Sequence, residues 1–331
     1  MMIDTKIATN SNKASNSKSS LVSFFKLEGV GVFIILILLS LFLTVMIPSF
    51  LTFDNISNLL VQSIFIMIIA FGMMFVLSTG GIDLSVGSVL GLTGGVTGWL
   101  MMSGLNMWIA ILGGLILGFL IGLINGVIIT KLKISAFLVT FAMLYIARGL
   151  LTLLTKEEPI SSFATPGFVF LAQGDVLGIP TPFLITLVLF LLLYFLFKFT
   201  KYGRFIIATG SNTEAARLSG VSTDRINISV YALSGLLAAV AGILLTSRLT
   251  SVQPLMGNGY ELYAIAAAAI GGTSMFGGKA SMVGVTMGSL ILGLIANGLD
   301  LLLVDQFYRL IITGIIIIIA VAIERYLSRK S

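Results

Sequence analysis

The 331-residue chain has no cysteine and no histidine. The first absence excludes disulfides and thiolate chemistry. The second removes histidine-based acid–base, proton-relay and zinc roles. Charge is scarce too. Asp, Glu, Lys and Arg make up 10% of the residues, against roughly a quarter in soluble globular chains. Basic residues still outnumber acidic ones, 19 to 13. In so apolar a chain that excess belongs to cytoplasmic loops, not to nucleic-acid binding.

What is present is hydrocarbon. The chain is 57% hydrophobic with a mean hydropathy of +1.12. A bilayer core about 30 Å thick takes about 20 apolar residues per helix, and the sequence supplies such runs almost end to end. It predicts an all-α integral membrane protein of about ten transmembrane helices, near 30–49, 56–77, 86–103, 107–130, 134–154, 181–199, 226–246, 261–277, 281–303 and 307–324. The short Gly- and Ala-rich segments 86–103 and 261–277 are the weakest of these. Re-entrant segments at 78–98 or 261–280 would instead give eight. The apolar run Val30–Ile47 is too long for a signal h-region and lacks a small-residue cleavage site, so it reads as a retained first span.

Loop charge orients the bundle. With the N-terminus inside and strict alternation, fifteen of the nineteen basic residues fall in inside segments, as the positive-inside rule requires. Both termini are then cytoplasmic. A polar tail at 1–29 and a short tail at 325–331 flank a transmembrane domain at 30–324. Its longest internal cytoplasmic loop is 198–225 and its longest extracytoplasmic loop is 155–180.

Glycine, at 36 residues, is clustered. Gly114, Gly118, Gly122 and Gly126 lay a small-residue ridge along one helix face, which reads as close helix packing. Two glycine breaks, "STGGIDLSVGSVLG" (78–91) and "AIGGTSMFGGKASMVG" (269–284), end apolar helices with Gly-Gly. They read either as tight loops, with Asp83 capping the following helix, or as broken helices lining a pathway. Lys279 lacks the spacing of a phosphate-binding loop, because Thr273 and Ala280 stand where Gly and Ser/Thr are needed.

Polar residues within or beside the spans are functional suspects. Asp83, Asn125 and Asn297 are the candidates for a translocation pathway. Arg148, Glu261 and Asp300 lie near outer helix ends and read as interfacial anchors.

One polar stretch stands out, "GSNTEAARLSGVSTDR" (210–225). Ser211 and Glu214 match a capping box, and Gly220 is placed to stop the helix. Two turns are too short to persist alone in water. The segment reads either as a docking peg for a partner or as a loop helix resting on its own domain.

This stretch, with "TGGIDLSVGSVLGLTGG", "GLINGVIITKLKIS" and "RLTSVQPLMGNGYELYAIAAAAIGGTSMFGGKASMVG", resembles the permeases of sugar-type ABC importers, the ribose, xylose, arabinose and galactose group, and is nearest to ribose permeases. The likeness runs collinearly over about 55–325. It implies a non-catalytic subunit in the bacterial inner membrane, paired with a second permease copy. An ABC ATPase would carry ATP and Mg, and an extracytoplasmic binding protein would deliver the sugar. Asn212, Glu214, Ala215, Ala216, Arg217, Leu218 and Gly220 would form the ATPase-coupling helix. The loops 155–180 and 247–260, with Glu157, Glu158, Asp175 and Glu261, would meet the binding protein. Tyr263 stands where many such permeases have aspartate, and "ISAFLVTFAM" lacks their usual proline and glycine. Autoinducer-2 is an alternative substrate. An ion-coupled secondary carrier is the alternative class, and a membrane enzyme is disfavoured.

Overall fold

A computed structural model describes residues 30–305 continuously, and 307–309, 311, 312, 314–316, 318 and 322 beyond them. The expected tails at 1–29 and 325–331, and part of the tenth span, lie outside the described residues. The helices are α1 Val30–Met46, α2 Phe53–Ser78, α3 Val86–Met102, α4 Met107–Lys131, α5 Ala136–Thr155, α6 Pro166–Gln173, α7 Thr181–Phe199, α8 Lys201–Ser211, α9 Thr213–Leu218, α10 Thr223–Leu249, α11 Tyr260–Ile270 and α12 Met282–Leu301. The protein is an all-α membrane protein. Six of its described helices (α2, α4, α5, α7, α10 and α12) are long and apolar enough to cross a bilayer.

From Ile64 to Leu77 α2 is apolar on every side and buried throughout, as such a stretch must be. Phe71, Met73, Met74, Phe75 and Val76 are fully buried. α10 packs beside it and carries the small residues that let neighbours close in. The glycine ridge of α4 meets it there. Gly118 lies on the carbonyl of Gly235, Gly122 on that of Tyr231, and Gly126 on Ile228. The ridge is therefore a packing seam. α5 and α7 lie outside, with Leu138, Tyr145, Leu153, Leu192 and Phe195 exposed.

Three contacts define the two ends of the bundle. Lys131 Nζ pairs with Asp224 at 2.7 Å, joining the end of α4 to the start of α10. Arg248 Nη2 donates to Asn58 Oδ1 at 3.1 Å, joining the end of α10 to the start of α2. At that same far end, Ile160 and Val252 pair as a β-bridge. α6 is fastened there by Ser247 Oγ to the Phe168 carbonyl at 2.6 Å. A two-residue hairpin follows α6, β1 Asp175–Val176 and β2 Ile179–Pro180. Glu157, Glu158 and Asp175 are exposed on this face.

One span comes out shorter than expected. α3 matches its expected bounds, with 17 residues, but α11 has only 11, rising about 16 Å, half a bilayer. The helix expected over 261–277 stops at Ile270, where Gly271 and Gly272 begin a stretch of turns. Two helices, α6 and α8, were not expected at all. α6 is apolar but only eight residues long, and α8 is short and mixed in polarity, so no span-length hydropathy window marks either.

Candidate functional site

The polar stretch folds as two helices meeting at a corner. α8 starts at Thr200, whose hydroxyl accepts from Tyr202 N at 3.1 Å, and buries Gly203, Ile206 and Thr209. Ser211 belongs to its last turn and donates to the Ile207 carbonyl. The expected Ser211 capping box therefore does not form. Asn212 is the N-cap of α9, accepting from Ala215 N at 2.9 Å, and Glu214 pairs with Arg217 at 2.8 Å instead of reaching back. The stop is as expected. Gly220 has φ +86°, its N–H reaches the Arg217 carbonyl and that of Val221 reaches Ala216, both at 3.0 Å. That double closure is a Schellman motif. α9 buries Ala216 and exposes Asn212, Glu214, Ala215, Arg217 and Leu218, the last 79% exposed.

What α9 stands on was not visible in the sequence. The two glycine breaks meet beneath it. Gly278 N donates to the Ser78 carbonyl at 3.0 Å, tying the second break to the end of α2. Gly210, in the last turn of α8, sits on both. A Cβ there would fall against the Ser78 carbonyl and 2.7 Å from Gly278 N. Thr213 Oγ1 bonds the Thr209 carbonyl at 2.9 Å, so α9 and α8 move as one corner. A displacement of α9 thus bears directly on the joint between the breaks.

The first break carries the polar network that includes two of the three pathway candidates. Asp83 Oδ1 accepts from Ser85 N at 3.0 Å and Ser85 Oγ at 2.6 Å. Its Oδ2 accepts from Ser234 Oγ of α10 at 2.9 Å. Asn125 Nδ2 of α4 donates to Ser85 Oγ at 3.0 Å, and Tyr231 OH donates to the Ile82 carbonyl at 3.2 Å. Asp83 thus holds the turn that leads into α3 and ties it to α4 and α10. Both Asp83 and Asn125 are closed to solvent, at 1% exposure each. Asn297 lies elsewhere, in a reciprocal amide pair with Asn55 of α2 at 2.8 and 3.1 Å.

Glu261 departs furthest from expectation. Read as an outer anchor and a docking contact, it is buried in the first turn of α11 and offers no surface to a partner. Its Oε2 packs against Gly87, in the first turn of α3, and has no hydrogen-bond partner. The starts of α3 and α11 therefore abut inside the bundle. Both helix N-termini favour a carboxylate nearby. Arg148 of α5, a second of the three supposed anchors, interacts electrostatically with Glu261. Its Nη1 donates to the Met256 carbonyl at 2.7 Å and the Pro254 carbonyl at 3.5 Å. Asp300 pairs with Arg309. Among the described residues no three Asp or Glu side chains gather as a metal site.

The corner of α8 and α9 is thus seated on both glycine breaks, and sequence comparison names the family. Residues 55–321 match the family described as branched-chain amino acid transport system, permease component. The chain belongs to this permease family. It is 44% identical to the ribose import permease protein of Bacillus subtilis, over 90% of this chain and 93% of that one. It is 42% identical to the ribose import permease protein of Escherichia coli K12, over 84% and 87%. It is 36% identical to the L-arabinose transport system permease protein of Escherichia coli K12, over 96% of each. No solved structure matches it significantly.

Proposed function

We propose that this permease is the membrane subunit of an ATP-driven importer for ribose or a closely related monosaccharide, in a bacterial inner membrane. The observation that carries the mechanism is the seat of Gly210 on the joint of Ser78 and Gly278. In this reading α9 is the coupling helix. It offers Leu218 and the exposed Glu214–Arg217 pair to a separate ATPase subunit, which binds ATP and Mg. Closure of that subunit pushes the α8–α9 corner, and the corner shifts the two breaks. Asp83, Ser85, Ser234 and Asn125 hold the first break in register, so the push reaches the start of α3. The abutting start of α11 follows it, and access alternates between the two sides.

The chain then crosses ten times, α3 and α11 being the broken spans, with both termini on the cytoplasmic α9 face. A second copy completes the pore. The far face, with Glu157, Glu158, Asp175 and the 247–260 segment, receives an exported sugar-binding protein. Asn297 and Asn55 serve packing between α12 and α2, and Asp83 and Asn125 act on the pathway through the break they hold, not as groups facing it. Autoinducer-2 is a further substrate this scaffold would suit.

Affinity purification from native membranes tests the reading. An ATPase subunit and an exported sugar-binding protein are expected to come with the chain, and the reconstituted complex to take up D-ribose only with ATP. A chain that purifies alone and moves sugar on an ion gradient would replace the importer by a secondary carrier.

A further inference from the structure

Resting on the importer reading for its sidedness, we infer that the junction of α7 and α8 is a binding site for an anionic phospholipid of the cytoplasmic leaflet. Lys198, Lys201 and Arg204 hold the phosphate, and Phe195, Phe199 and Phe205 lie against the acyl chains. The bound lipid is the pivot on which the α8–α9 corner turns.

Three observations carry the assignment. The first is where α8 lies. Only Thr200 separates it from α7, and it turns back on the helix it follows. A Cβ at Gly203 would fall on the Phe197 carbonyl, in the last turn of α7, as one at Gly210 falls on Ser78 at the end of α2. Tyr202 OH shares a 2.8 Å hydrogen bond with Ser229 Oγ, in the second turn of α10. α8 thus lies across the ends of three spanning helices, at the level where they leave the bilayer. The second observation is its outer face. Gly203, Ile206 and Thr209 turn inward, which leaves Lys201, Arg204 and Phe205 together on the other side, all exposed. A basic face that includes an aromatic ring is the pattern of a helix lying in a membrane interface. The third is charge without a partner. No Asp or Glu stands between Asp175 and Glu214. Among the described residues none pairs with Lys198, Lys201 or Arg204.

Three unpaired cations call for an anion, and α7 says which. Val188, Leu192, Phe195 and Phe199 recur every three or four residues and are exposed as one apolar stripe, the lipid-facing side of a spanning helix. Phe195 and Phe199 pack on each other at 5.8 Å, and the stripe ends among the cations. A free phosphate would satisfy Lys198, Lys201 and Arg204 and leave the rings bare, whereas a phospholipid meets both. The face of α9 offered to the ATPase begins at Asn212, beyond the end of α8. Because Thr213 ties α9 to α8, a headgroup that holds α8 to the bilayer also sets how Gly210 rests on the joint of the two breaks.

Two charge-matched variants test the site. K198Q/K201Q/R204Q removes its cations. K133Q/R225Q/K279Q removes as many from exposed basic residues elsewhere on the α9 face, so diffuse attraction to an anionic surface falls equally in both. Native mass spectrometry of the detergent-solubilised chain, titrated with phosphatidylglycerol or phosphatidylcholine, reads the tightest lipid bound. Phosphatidylglycerol should bind the wild type and K133Q/R225Q/K279Q alike. It should bind K198Q/K201Q/R204Q at least about fivefold more weakly, the worth of one basic residue near an anionic surface. Phosphatidylcholine should not distinguish the three proteins. In proteoliposomes of the full complex, adding phosphatidylglycerol to phosphatidylcholine should raise ATP-driven D-ribose uptake severalfold in the wild type and leave K198Q/K201Q/R204Q unchanged. Equal weakening in both variants overturns the site and returns its residues to the general basic excess of this face. Equal binding by all three proteins overturns it too, as does an uptake gain that K198Q/K201Q/R204Q retains. Loss of the ATPase subunit from K198Q/K201Q/R204Q in detergent assigns the face to that subunit instead of lipid. Absence of ATP-driven uptake by the wild type in either lipid refutes the importer reading alone, and the lipid titration still decides the site.

Discussion

Gly210→Ala adds one methyl group at the point where the α8–α9 corner touches both broken segments. The added carbon would fall against the Ser78 carbonyl and 2.7 Å from Gly278 N, with Ser78 C at 2.9 Å. All three neighbours are backbone, so no side chain can swing aside. Ordinary carbon contacts lie at about 3.5 Å or more, so the corner must lift by about 1 Å. The lift strains or breaks the 3.0 Å bond from Gly278 N to the Ser78 carbonyl. Overpacking of this kind costs about 1–3 kcal/mol, and a lost backbone hydrogen bond adds about 1 kcal/mol. The exposed face of α9 is untouched, so subunits should still assemble. The assay is uptake and ATP hydrolysis by the reconstituted complex, with melting temperature measured alongside. We expect assembly to persist, melting to drop by a few degrees and uptake per ATP hydrolysed to fall at least about tenfold, since about 1.4 kcal/mol is a factor of ten. Gly220→Ala is the control, because nothing lies within 4 Å of its added carbon and only the φ of +86° is strained. Normal uptake and melting in Gly210→Ala would refute the claim that this contact transmits the drive.

Three further outcomes follow from the same contacts. Leu218→Asp alters a side chain that is 79% exposed. It should leave melting unchanged and abolish ATP-driven uptake, and unimpaired uptake would remove α9 from the coupling role. Asp83→Ala strips partners from Ser85 and Ser234 inside the bundle. It should destabilise the detergent-solubilised protein by about 1–3 kcal/mol per orphaned group, measured by thermal unfolding. Asn297→Ala leaves Asn55 without its reciprocal amide. It should cost about 1–3 kcal/mol, with part recovered in the Asn55→Leu/Asn297→Leu double variant. A double variant no better than the sum of the singles would show that the pair is not coupled.

Some of this protein was settled by its sequence. Hydropathy sums transfer free energy along the chain, so long apolar runs such as those of α2, α4 and α10 must be spans whatever packs beside them. Gly220 had to stop α9, because its backbone conformation excludes a side chain at little cost only in glycine. The ridge of Gly114 to Gly126 declared a close seam by its four-residue period. Other features belong to the tertiary structure alone. Ser211 and Asn212 are equally good caps as letters, and only the continuation of α8 through Ser211 gives the cap to Asn212. Glu261 sits where hydropathy expects a helix end, and its burial depends on α3 starting inside the bundle against α11. The joint of Ser78, Gly210 and Gly278 unites residues some seventy to two hundred positions apart. A glycine has no side chain to advertise a contact, so its partner is decided by which backbones come together, and that is a property of packing.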